Sequence, residues 1–306
     1  MISRSFCIVT PTYRGDLEPF TQLCRSIDLH MPQTTHYVLV DRSDMAVFAP
    51  FSSSRRVIVD CSLELPQFHE FRFLGRRLWW RWPMHVVRGW IYQQLTKIRV
   101  VGRLEEDAAV IMDSDAWLIR PIRPEQVFDG DRVRIYRRAN DSDGPEFQKW
   151  HNVALASYGL PQTGYTGYSY ISTAVIWAPE VVRAMSAEIE RATGRKWHDE
   201  LIRPFRFSEY IQYGVFCDRI AGPHRDLVSP VPEEICHCSW HYDLDTDQGV
   251  DSFLDDLQEW HSAVLIQSNL RLSEERRLEI VKRFEGRFGC NGKPGAALPS
   301  PANAAD

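Results

Sequence analysis

The chain has 306 residues, 44% hydrophobic and 25% charged, a composition that supports a sizeable buried core. Its formal charge of −5 is small for that length and argues against a nucleic-acid partner, which normally demands a strong basic excess. No apolar run approaches the ~18 residues of a membrane span, and the seven cysteines, odd in number and without a Cys-x-x-Cys pair, suit a reducing compartment.

The first apolar run, 6–10, is broken by Pro11 too soon for a signal peptide, so the cytoplasm is the expected location, with attachment at the inner face of the membrane left open. Similar β-rich runs at 37–40, 57–59 and 108–112 each close on a polar residue and read as buried parallel strands. Between them lie helical spacings, Leu17, Phe20, Leu23, Cys24 and Ile27, then Trp90, Ile91, Gln94, Leu95 and Ile98. Strand alternating with helix predicts an α/β fold whose mostly parallel central sheet is flanked by helices on both faces.

From Phe68 to Trp90 the chain sets Arg72, Arg76, Arg77, Arg81 and Arg88 among Phe71, Phe73, Trp79, Trp80 and Trp82. Such a stretch can form an acceptor groove or rest on an anionic membrane. The plainer expectation is an irregular loop whose tryptophans pack on the core beneath a cover of arginines. Farther on, a turn-rich loop with Gly159, Pro161, Gly164 and Gly167 precedes a strand at 170–177. Helices are predicted at 179–192, led by Pro179, at 208–220 with Ser208 as N-cap, and at 273–284 with Glu274 and Glu275 in the first turn. Residues 289–306, rich in Gly, Pro, Ala and Asn, read as a loose tail.

Five Asp-x-Asp pairs occur, at 113/115, 129/131, 141/143, 243/245 and 245/247. Only Asp113 and Asp115, with Ser114 between them, directly follow a buried-strand run, which puts them at the carboxyl edge of a sheet, where open α/β folds bind ligands. Residues two apart on an extended chain point the same way, about 7 Å apart at Cα, so two hard carboxylates can share Mn²⁺ or Mg²⁺. Such an ion can bridge phosphate oxygens and neutralise charge on a leaving diphosphate. The plain alternative is a solvated turn. Asp243-Leu-Asp-Thr-Asp247 has Gln248 where a calcium loop needs Gly and Leu254 at the closing acidic position, so that reading is rejected.

Ile8-Val-Thr-Pro-Thr-Tyr13-Arg14, the strand ending at Asp41, and Val110-Ile-Met-Asp-Ser-Asp115 together resemble a glycosyltransferase of the GT-A (Rossmann-like) fold. More closely, Arg88-Gly-Trp-Ile-Tyr-Gln-Gln-Leu-Thr-Lys97 with Phe207-Ser-Glu-Tyr-Ile-Gln-Tyr-Gly214 resembles a bacterial family regarded as glycosyltransferases and catalogued as a domain of unknown function. The resemblance implies one catalytic domain over 1–288, with a nucleotide-sugar-binding half, 1–130, and an acceptor half, 131–288. It implies that a nucleoside-diphosphate sugar, with uridine the preferred base, is held by Thr10, Pro11, Tyr13, Arg14, Asp41, Gln93, Lys97 and the Asp113-Ser114-Asp115 run. A late histidine, His237 or else His241, is the implied third metal ligand.

Gln93 and Lys97 lie four apart on one helix face, and Glu209, in a first helical turn, is the candidate base toward an acceptor hydroxyl. The implied partners are the nucleotide sugar and a saccharide or lipid-linked acceptor, as in polysaccharide biosynthesis, with peripheral membrane contact and no nucleic acid. A nucleotidyltransferase or phosphohydrolase using the same carboxylates, or a noncatalytic carbohydrate-binding protein, are the rival readings.

Overall fold

The computed structural model describes residues 4–83, 85–139, 144–267, 270 and 272–288. The tail from 289 and the Asp141/Asp143 pair lie outside the described residues. In chain order the first half runs β1 (Phe6–Thr12), α1 (Leu17–His30), β2 (His36–Val40), β3 (Arg56–Asp60), β4 (Phe68–Phe73), β5 (Arg76–Arg81) and β6 (His85–Arg88). A helix at Gly89–Val101, β7 (Ala108–Met112) and β8 (Ala116–Leu118) follow. Five strands form the central sheet in the order Ala174–Trp177, β7, β1, β2, β3.

Within that sheet β1 pairs in parallel with both β2 and β7, with Ile8 opposite His36 and Val110, and β2 pairs in parallel with β3. The expected mostly parallel sheet flanked by helices is therefore the one observed. Alternation sorts its two faces: Val38 and Val40 pack with Phe20 and Cys24 of α1, while Leu39 belongs to the cluster that holds Ile91, Tyr92, Leu95 and Ile98 of the Gly89 helix. All five residues of β7 are buried, and each such side chain as large as Val, Ile or Met contributes about 1.5–3 kcal/mol relative to exposure.

Two regions differ from expectation. Only Ala174–Trp177 of the 170–177 run joins the sheet, and it does so antiparallel to β7, whereas Tyr168–Ser169 pairs with Arg138–Ala139. Tyr170 instead turns to helix Glu209–Arg219, where a Cβ on Gly214 would collide with its ring and where its hydroxyl donates to Asp218 at 2.6 Å. The aromatic and basic stretch is not irregular. It is a three-stranded antiparallel meander, β4-β5-β6, with Trp79 stacked on Tyr92 at 4.6 Å.

The second half supplies helices Pro145–Ser157, Pro179–Thr193 and Glu209–Arg219. Pro179 opens the second of these and Gly194, at φ 69, closes it in the left-handed region. Ser208 caps the third, its side chain accepting from the amide of Ile211. A small sheet, Cys236–Cys238, Ala263–Leu265 and β8, carries helices Asp247–Asp255 and Glu274–Phe288. The rejected calcium loop is the entry to the first of these helices, with Thr246 accepting from the Gly249 amide as N-cap. Among the described residues no helix is long and apolar enough to cross a membrane.

Candidate active site

A cavity of ≈ 530 Å³ opens at the carboxyl ends of β1 and β2, within the usual range for small-molecule sites. Its sheet wall carries Pro11, Thr12, Tyr13, Arg14, Gly15 and Asp41; the Gly89 helix adds Trp90, Gln93 and Thr96; the meander adds Arg72, Arg77 and Trp79. Of the predicted nucleotide residues, Pro11, Tyr13, Arg14, Asp41 and Gln93 thus meet around one space. Thr10 does not. It lies deeper in β1, two residues before the strand's end, fully buried, with its hydroxyl 3.0 Å from His36 Nε2. Thr12, two residues on, lies on the cavity wall instead. Its buried Oγ1 finds no hydrogen-bond partner among the described residues.

The rim is organised by arginines. Arg77 reaches Asp41 at 3.0 Å and Asp44 at 2.9 and 3.1 Å, and its Nε is 3.4 Å from Glu70. Burial pushes the Asp41 carboxyl up to about 6, more than Arg77 pulls it down. Burial alone would also raise Asp44, but the hydrogen bonds from Arg77 and Arg14 outweigh it and hold that carboxyl below its ordinary value. Arg14 borders the cavity yet spends its guanidinium on Asp44 and the Ser43 carbonyl.

Asp113 and Asp115, both half-buried, stand just past the end of β7. They are not in the wall of the large cavity; Asp115 borders a narrow cleft of ≈ 20 Å³ with Glu18, Gln22 and Arg277. Tyr13 links the two spaces. Its ring covers Gly15, where any Cβ would collide with it, and its phenol lies beside Asp16, whose charge raises the phenol's pKa and which accepts from Ser114 Oγ at 2.8 Å. Burial, with Asp113 adding to it, raises the Asp16 carboxyl despite the Ser114 bond. Arg277, held by the carbonyls of Ile266 and Gln267 at 2.9 and 3.0 Å, faces Asp115, Glu18 and Asp16.

Lys97 is buried rather than free to reach outward. Its ammonium donates to Glu209 at 2.6 Å and to the Tyr210 hydroxyl at 2.9 Å. Burial would lower the Lys97 pKa, but Glu209, Tyr210 and Asp113 together raise it, so it stays charged beside Asp113. Glu209 does begin its helix, but it points into that pair, and its amide is bound by Gln94 Oε1 at 3.0 Å. The outward aim expected of a first-turn carboxylate fails because this helix end packs on the Gly89 helix.

The late histidine is likewise displaced. On Cys236–Cys238 the flanking cysteines face Asp115, whose charge acts on both, so His237 must face away. Its Nε2 lies 3.0 Å from the Phe253 carbonyl, its ring stacks on Phe253 and His261, and burial lowers its pKa. His241 is exposed on the following turn. Among the described residues no group of three His, Cys, Asp or Glu side chains is placed to hold a metal ion. Two carboxylates alone could hold only a cation such as Mg²⁺ that completes its shell with phosphate and water, not one bound in an all-protein cage.

Sequence reasoning passed over Thr12, Asp16 and Arg277, and read Arg77 only as part of the aromatic and basic stretch. Asp16, three residues past Tyr13, had a local signal; Arg277 comes from a distant segment and had none.

Residues 5–285 match the family of unknown function DUF6492. The chain belongs to that family. No curated protein matches it. Among solved structures, this DUF6492 member is similar to the galactosyltransferase LgtC in complex with donor and acceptor sugar analogues, at 12% identity and a TM-score of 0.43, over 94% of this chain and 97% of that one. It is similar at the same identity and score to an active-site mutant of LgtC, over 90% and 95% of the two chains.

Proposed function

We infer that this chain is a metal-dependent glycosyltransferase of the GT-A fold, moving a sugar from a nucleoside diphosphate, with uridine the preferred base, to a saccharide or lipid-linked acceptor. One observation carries the reading: a nucleotide-sized cavity at the strand ends is tied through Tyr13, Asp16 and Ser114 to a carboxylate pair at the same sheet edge. In this reading Asp41 accepts from the ribose, and the half-exposed rings of Tyr13 and Trp90 flank the base. Asp113 and Asp115 hold Mn²⁺ or Mg²⁺, which when bound supplies positive charge to the departing diphosphate. Lys97 keeps a fixed charge beside Asp113, and Glu209 positions Lys97. The acceptor would meet the donor from the half after Gly130.

The test is incubation with a panel of nucleotide sugars and Mn²⁺. Release of nucleoside diphosphate supports transfer; release of monophosphate or pyrophosphate instead favours a nucleotidyltransferase or phosphohydrolase. Asp113→Ala and Asp115→Ala should each lower turnover by about 10²-fold or more. If calorimetry found that these variants bind nucleoside diphosphate with Mn²⁺ as well as wild type does, a noncatalytic carbohydrate-binding protein would be the better description.

A further inference from the structure

The meander has two faces of different character. Its registers place Phe68, Glu70, Arg77 and Trp79 on the inward side, against the core and the large cavity. On the outward side they align the cross-strand rows His69–Trp80–Val86 and Phe71–Leu78–Arg88. A third row, Phe73–Arg76, leads into the hairpin tip. This outer face carries no acidic residue, although the chain as a whole has a net charge of −5. Arg76 and Arg88 are exposed and form no ion pair among the described residues.

The tip adds an independent observation. Leu74 and Gly75 form a two-residue hairpin loop with φ of 49° and 74°. A loop of that kind favours Asn or Asp followed by Gly, because a leucine at positive φ is strained. Here the leucine is 85% exposed, beside a Phe73 that is 61% exposed, so neither backbone conformation nor burial accounts for it. An apolar tip flanked by cations and backed by tryptophan is what the interface of an anionic bilayer accepts.

We propose that the outer face of β4-β5-β6, led by Phe73 and Leu74, docks this protein on an anionic membrane surface. A second copy fits less well, because a symmetric contact would bring Arg76 and Arg88 against their own equivalents with no acidic residue on the face to receive them. The same meander walls the large cavity, so docking brings that cavity to the bilayer. The inference does not depend on the transfer reaction.

The experiment is co-sedimentation of the full chain with phosphatidylcholine vesicles, with and without phosphatidylglycerol. Binding is expected to the anionic vesicles and to weaken as salt rises. Leu74→Asn should reduce the partition coefficient about fivefold to tenfold, yet melt no lower than wild type, because asparagine tolerates positive φ better. Arg76→Glu should remove much of the salt-dependent part. No binding to anionic vesicles, or an unchanged partition in Leu74→Asn, overturns the proposal. So does a wild-type dimer in sedimentation velocity that Leu74→Asn dissolves, since a second copy would then cover the face.

Discussion

On the sheet side of the large cavity, Thr12, Asp41 and Gln93 project from strand ends and a helix whose remaining residues are mostly buried. On the meander side, Arg77 and Trp79 face inward while Phe73 and Trp80 face water. The first wall is held in place by the core behind it; the second packs Phe68, Trp79 and Val87 into that core and adds ion pairs at its rim, such as Arg77 with Asp41, Asp44 and Glu70. Substitutions behind the sheet wall should therefore act on folding, and substitutions at the rim on ligand affinity.

The largest effect should come from behind the sheet wall. Lys97→Ala leaves Glu209 charged and buried without its partner, with the two side chains 5% and 4% exposed, and should cost about 3–5 kcal/mol of stability in urea unfolding. The double change Lys97→Met with Glu209→Leu should recover most of that loss. If the single change left the urea midpoint where it was, the contrast between the walls would fail.

At the rim, Asp41 gives a pH signature. Its carboxyl is raised from 3.8 to about 6, so between those values the folded chain holds a proton that the unfolded chain has released. This group's contribution to stability therefore falls as pH rises through that window. In the proposed function ribose binding needs the carboxylate and moves the other way: nucleoside diphosphate affinity should rise about tenfold from about pH 5 to about pH 7. Calorimetry across that range should find the slope in wild type and not in Asp41→Asn. A smaller effect is expected of Gly15→Ala, which displaces the Tyr13 ring and should weaken nucleotide binding severalfold with an unchanged melting temperature. A lowered melting temperature would move Tyr13 from the rim to the core.

The sheet wall was legible because burial there is periodic or continuous. β7 follows the run read for it residue for residue, so Asp113 and Asp115 stand just past the end of a buried strand, as their position in the sequence implied. Asp131, by contrast, is a fully exposed loop residue, and Asp243 and Asp245 precede a helix start. The meander was illegible because aromatic residues occupy both of its faces, Phe68 and Trp79 inward, Phe71 and Trp80 outward, which erases the alternation that marks a strand. Direction was the other thing hidden. That His237 turns from Asp115 toward Phe253, and that Glu209 points at Lys97, depends on pairing with segments far away in the chain, which local spacing does not encode.

Arg277 lies in the last described helix, more than 150 residues from the strand that ends at Met112, yet its guanidinium shares a neighbourhood with Asp16, Glu18 and Asp115. The carboxylate edge is thus electrically completed by a helix remote in sequence from the strands that carry it. A polypeptide cut before Ser273 would keep every strand of the central sheet and lose that counter-charge, so an intact sheet alone does not guarantee an intact centre.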